Sequence, residues 1–113
     1  MAKVKIVDSL LDEIEKKFKG ESHKVIDLLE SLEKNPRKGK PLGIFAGMTV
    51  KELRYKNFRF YFIVEGHKLN VLSEEELIDL LIRFVRMSDK KSQQKAIGEI
   101  RSILIAVGVE GFE

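Results

Sequence analysis

Cysteine is absent from the 113 residues, which excludes a disulfide framework, a thiolate zinc site and a cysteine nucleophile. Histidine is scarce: His23 and His67 stand alone, neither with a second histidine at helical spacing, so no metal is expected. The chain contains neither the G-x-x-x-x-G-K-S/T loop that cradles a nucleotide nor the G-x-S-x-G elbow of a serine hydrolase, and no cofactor is expected. No run approaches the roughly 20 apolar residues of a membrane span, and residues 1–9 lack the apolar core of a signal peptide. The expectation is a cytoplasmic protein with no membrane partner. Charge of one sign is also lacking in bulk, since 21 Lys and Arg against 18 Asp and Glu leave only +3. An anionic partner would have to be met by placement rather than by overall field.

What is present fits one domain, residues 1–113, with a single core. The most ordered pattern is TVKELRYKNFRFYFIV at residues 49–64, two alternating runs around Lys56-Asn57, which predicts an antiparallel β-hairpin. Alternation puts Arg54 on the face of Glu52, and Arg59 on the face of Tyr61. Whether those two pairs share one open face decides whether the protein has a phosphate-handling site or only a charged surface.

Residues 3–7 alternate as a short strand with lysines outward, the pattern of an edge. Asp8 or Ser9 offers a cap to a helix with Leu10, Leu11, Ile14 and Phe18, ending at Gly20. Ser22 offers one to a second helix with Val25, Ile26, Leu28, Leu29 and Leu32, stopped at Asn35-Pro36. So short a join predicts a helical hairpin. Both prolines fall in residues 36–47, read as an irregular loop whose Arg37, Lys38 and Lys40 are candidates to touch the phosphate backbone of a nucleic acid, or else a solvated surface.

Gly66 suits either a turn at residues 65–68, with residues 68–72 pairing back, or a bulge in a strand that turns at residues 73–76. Residues 77–86 fit a helix capped by Ser73-x-x-Glu76 and also a strand. A last helix, capped by Ser88 or Asp89, carries Ala96, Ile97, Ile100, Ile103, Leu104 and Val107 to Gly108, and residues 109–113 are expected to fray. Around the sheet gather Arg54, Lys56, Arg59, Arg83, Arg86, Lys90 and Lys91. Arginine forks match phosphate oxygens, so such a cluster can stabilise charge on a phosphorane; alternatively these bases pair with Glu52, Glu65 and Asp79.

The order of elements, with Pro36, Gly39, Pro41 and Leu42, then Glu52-Leu53-Arg54, then Phe58-Arg59-Phe60-Tyr61-Phe62, resembles the RelE/ParE toxin superfamily. It is most similar to the HigB or phage Gp49-like branch, whose last strand and basic residues are matched by Phe84-Val85-Arg86 and Lys90-Lys91. The resemblance implies an α+β, RelE-like fold, an antiparallel sheet packed on an N-terminal helical hairpin with a C-terminal helix, and it selects the strand for residues 77–86. It implies a toxin held by a cognate antitoxin protein that cleaves messenger RNA on the ribosome without metal. Arg59 matches the arginine on the scissile phosphate and Arg54 the one before the bend. Arg86, Lys90 and Lys91 match the basic end of the last strand, with Tyr61, Lys90 and Glu52 as candidates for proton transfer. Lys56 and Arg83 join them as RNA contacts. Three departures stand out: Glu52 stands where the RelE type has a lysine, though glutamate is usual in the HigB-like branch; no tyrosine occurs in the C-terminal segment; and residues 72–81 have no counterpart in the compact members. Related readings are a gyrase-binding toxin of the ParE kind and a relative that binds RNA or protein without cleavage.

Overall fold

The computed structural model describes residues 2–66 and 80–112. Strand β1 (Ala2–Ile6) leads into helix α1 (Asp8–Phe18), a 3-10 turn (Lys19–Glu21), helix α2 (Ser22–Glu30) and a second 3-10 turn (Ser31–Glu33). Strands β2 (Lys40–Phe45), β3 (Met48–Tyr55), β4 (Phe58–Gly66) and β5 (Leu80–Asp89) follow, then helix α3 (Gln93–Ala106) and a closing 3-10 turn (Val109–Phe112). The fold is α+β around one five-stranded sheet of order β1-β5-β4-β3-β2. Consecutive strands from β2 to β5 pair antiparallel, while β1 joins β5 in parallel, so the sheet is mixed rather than wholly antiparallel. Alternation shows that residues 3–7 form a strand but carries no sign of its partner's direction, which only the crossover through α1 and α2 sets. Among the described residues, no helix is long and apolar enough to cross a membrane.

Pleating divides the aromatic residues of β4 by face. Phe58 and Phe60 meet Phe18 of α1 at ring distances of 5.2 and 6.1 Å, with Tyr55 at 5.7 Å, so α1 covers this face. Phe62 and Phe84 pack at 4.9 Å deeper in the same layer. The opposite face presents Val50 and Ile63 from adjacent strands, and α3 lies over it, burying Ala96, Ile100 and Leu104 and placing Arg101 against the Phe45 ring. A sheet clad on both faces leaves β4 without an exposed residue from Arg59 to Ile63. That is why a charged side chain there has few neighbours to choose from.

Several boundaries differ from the sequence reading for identifiable reasons. Residues 40–45 are an edge strand, not a loop: Pro41 needs no amide partner there, and a register shift between Pro41 and Gly43 absorbs the irregularity. Ala46 and Gly47, with φ of 51° and 80°, make the tight turn into β3. Helix α1 follows Val7 without a side-chain cap, and the left-handed residue at its end is Lys19 (φ 46°) rather than Gly20. Ser22 is the first helical residue of α2, again without a cap bond. Strand β5 runs on through Asp89, so Ser88 is a buried strand residue rather than a cap, and the Asp89 carboxylate instead accepts the Ser92 N–H at 2.8 Å just before α3. The tail is anchored by Phe112, 4% exposed. The strand expected over residues 77–86 is present from Leu80 onward; residues 77–79, the turn after Gly66 and the alternatives over residues 67–76 lie outside the described residues.

Gly39 gives a direct test of this packing. It holds φ 112°, and a Cβ there would stand 2.7 Å from Phe62 Cζ and 3.2 Å from the Glu52 carbonyl oxygen. Since the Phe62 ring is fully buried and cannot yield, Gly39→Ala is expected to lower stability by about 1–3 kcal/mol in a denaturant titration. A change below a few tenths would contradict the placement of β2 against the core.

Candidate functional site

The register answers the question posed by the hairpin. Arg54 pairs directly with Arg59, and Glu52 with Tyr61, so all four stand on one face, but it is the face α3 covers: Glu52, Arg59 and Tyr61 are buried and Arg54 alone of the four is exposed. The next strands extend these rows, Lys40 lying opposite Glu52, Ser88 opposite Arg59 and Arg86 opposite Tyr61. Beyond the N-terminal end of α3 the face opens into a cleft of about 480 Å³ lined by Arg54, Lys56, Asn57, Arg59, Asp89, Lys90 and Lys91. Five cations therefore converge with a single carboxylate. That carboxylate, Asp89, is held below its usual range by hydrogen bonds from the Ser92 backbone and side chain, which leaves it a weak base.

Arg59 forms the floor. It is 6% exposed, and its Nε lies 3.5 Å from Oε2 of Glu52, itself 6% exposed. Neither of these two atoms has a hydrogen-bond partner among the described residues. Arg54, by contrast, is exposed, as are Lys90 and Lys91. Lys56 takes a left-handed φ of 52° at the β3–β4 bend and pairs with Glu21 at 3.1 Å, a surface contact that leaves it able to exchange partners.

The remaining sequence candidates are placed elsewhere. The Tyr61 hydroxyl is buried and shares a 2.7 Å hydrogen bond with Ser88 Oγ. Burial raises its pKa, the Ser88 bond opposes this, and the Glu52 charge adds to the rise, so the phenol stays protonated well past neutrality. Arg86 belongs to a separate cavity of about 460 Å³ at the outer edge of β5, beyond the end of β1. There it donates to the Val85 carbonyl at 2.8 Å, stands 4.0 Å from Glu99 and lies 5.1 Å from the Phe112 ring centre. Glu13 shares that cavity, its pKa raised by burial against the lowering effect of Arg86 and Lys17. Arg83 pairs with Glu65 at 2.9 Å, nearer the start of β5. Arg37 and Lys38 are exposed before β2 and Lys40 is exposed at its start; none of the three lines the cleft.

Both readings of the basic cluster thus hold in part: Arg83 and Arg59 have the glutamate partners that a structural role implies, while Arg54, Arg59, Lys90 and Lys91 share one cleft. Asn57, Asp89 and Ser88 were not singled out as site residues from sequence. Their signal was present, since Ser88 falls opposite Arg59 once β5 is extended by three residues. No group of three or more His, Asp or Glu side chains that could hold a metal ion comes together among the described residues.

The buried hydroxyl pair is open to test. Tyr61→Phe leaves Ser88 Oγ without its partner and is expected to lower stability by about 1–3 kcal/mol. In the wild type, stabilisation from burying the neutral phenol is complete below the unfolded value near 10 and disappears as pH rises through the higher folded value. Phenolate absorbance that develops fully at an ordinary tyrosine pKa would contradict it.

No family model, curated protein or solved structure matches the chain.

Proposed function

We propose that the chain is a RelE/HigB-like toxin component, an endoribonuclease that acts on messenger RNA in the ribosome and is held inactive by a cognate antitoxin protein. One observation carries this reading: Arg54 and Arg59 face each other directly across β3 and β4, at the mouth and floor of a cleft that also gathers Lys90 and Lys91. Like charges directly opposite on a sheet are unfavourable by themselves. A phosphodiester between them turns that repulsion into shared, charge-assisted hydrogen bonding.

In the reaction this cleft suits, the RNA 2′-hydroxyl loses its proton to water as its oxygen attacks the adjacent phosphorus, the bond to the 5′-oxygen breaks, and a 2′,3′-cyclic phosphate and a 5′-hydroxyl result. Arg59 and Arg54 would hold the non-bridging oxygens as charge builds on them. Lys90 or Lys91 would donate the proton that the departing 5′-oxygen needs. Asp89 is tied to Ser92 and weakly basic, and Tyr61 is buried against Ser88, so charge stabilisation is the larger contribution of these side chains. That same scarcity of a tuned base supports a second reading, in which the cleft binds RNA without cutting it.

Expression in a bacterial host is expected to stop growth and translation with cleavage of transcripts. Arg54→Ala, an exposed change, is expected to weaken binding to single-stranded RNA and to reduce the log–log salt slope by about 0.7, with no loss of folding. Growth arrest with DNA damage and intact transcripts would point to the gyrase-binding alternative. RNA binding without cleavage on ribosomes would select the binding relative, and failure to bind RNA at all would overturn the reading.

A further inference from the structure

Arginine at position 59 is an awkward resident of the floor of the cleft. Its side chain is 7% exposed, and so is that of Glu52 beside it. A buried charge pair is normally tolerated because close, well-aligned hydrogen bonds replace the lost water. Here the approach is 3.5 Å, and both Nε of Arg59 and Oε2 of Glu52 are buried without a hydrogen-bond partner among the described residues. Unsatisfied buried polar atoms are rare enough in folded proteins that each calls for a reason. Incomplete packing is not the reason here, because Tyr61, Ile63 and Val50 on the same face are fully buried.

We infer that Glu52 is the positioning residue of the cleft: it holds Arg59 by its Nε edge and offsets its charge until a phosphodiester takes the other guanidinium donors. The geometry has the features this requires. Glu52 approaches from the adjacent strand along the diagonal, two residues along β3 from Arg54, the partner of Arg59, so it stands behind Arg59 rather than in the cleft, whose lining does not include it. Lys40, opposite Glu52 on β2, is exposed, and among the described residues the buried carboxylate pairs with Arg59 at 3.5 Å. A loose pair of this kind orients Arg59 through its Nε edge and leaves the terminal guanidinium nitrogens to donate to the oxygens of a phosphate. The inference rests on the proposed RNA-directed function for its ligand, but not for the Glu52–Arg59 linkage.

Glu52→Gln keeps the shape and removes the charge. In fluorescence anisotropy with a single-stranded RNA oligonucleotide, the variant is expected to bind several-fold more tightly, because the charge of Arg59 is no longer offset. Its single-turnover cleavage of ribosome-bound message is expected to fall by tenfold or more, because Arg59 is no longer held. In nitrogen-15 NMR of the free protein, the Arg59 Nε–H signal is expected to exchange slowly in the wild type and rapidly in the variant. Glu52→Asp, which withdraws the charge by one methylene, should lie between the two and serves if Glu52→Gln does not fold. Affinity and cleavage that fall together would overturn the inference and leave Glu52 a structural residue, as would an Arg59 Nε–H signal unaffected by the substitutions. Wild-type protein that ignores RNA would count against the proposed function instead, with the NMR comparison still deciding the role of Glu52.

Discussion

Arg59→Ala is expected to abolish transcript cleavage, by a factor of about 100 to 1,000, and at the same time to lower stability by about 3–5 kcal/mol. Both effects come from one position. Removing the guanidinium takes the most buried cation from the cleft and removes the charge paired with the Glu52 carboxylate, itself 6% exposed. Loss of function alone would therefore be ambiguous. The double variant Arg59→Met with Glu52→Gln replaces the pair by uncharged groups of similar length, and it is expected to recover most of the stability while remaining inactive. Chemical denaturation of the two variants checks the first part, and growth on induction checks the second. A stable Arg59→Ala protein would mean that the pair is not buried as described.

Phe62→Ala carries the other large expected effect, a loss of about 3–5 kcal/mol. The ring is fully buried, lies 4.9 Å from Phe84 on the neighbouring strand and closes over Gly39, so truncation opens a cavity in the centre of the sheet where neighbours are fixed by backbone pairing. The measurement is the shift of the urea midpoint at unchanged slope. Exposed Ile44 on the edge strand, 71% accessible, provides the contrast, since Ile44→Ala removes as apolar a side chain from a site that packs on nothing. Equal losses at the two positions would contradict the layering of the sheet.

These residues also show how far the sequence could be read. The β3–β4 hairpin was legible because alternation and the bend at Lys56-Asn57 are local signals, and they sufficed to place Arg54 and Glu52 on one face and Arg59 and Tyr61 on one face. That the two pairs share a face depends on register, which the sequence reading left open and the pairing of β3 with β4 decides. Strand β2 was not legible: a segment with Pro41 and Gly43 is a strand only because β3 lies beside it, and pairing is a tertiary fact. Phe112 was read as part of a fraying tail because nothing local announces that it packs beside Arg86. The cleft was half visible. Its cations were named, but Arg86 was grouped with them, and Val85, the extra residue where the β4–β5 register shifts, helps to explain why proximity in sequence to Lys90 did not carry Arg86 into the same cavity. Tyr61 was a proton-transfer candidate by residue type alone; its burial against Ser88 could not be seen before β5 was known to reach Asp89.

The central claim is that Arg59 and Arg54 form the floor and the mouth, respectively, of a phosphate cleft that acts on messenger RNA. Primer extension on a defined transcript in a purified translation reaction tests it most directly, comparing the wild-type chain with the Arg59→Met, Glu52→Gln double variant. The account predicts new 5′ ends within the ribosome-bound message for the wild type and none for the folded double variant. Intact transcripts with both proteins, or the same cleavage with both, would contradict it.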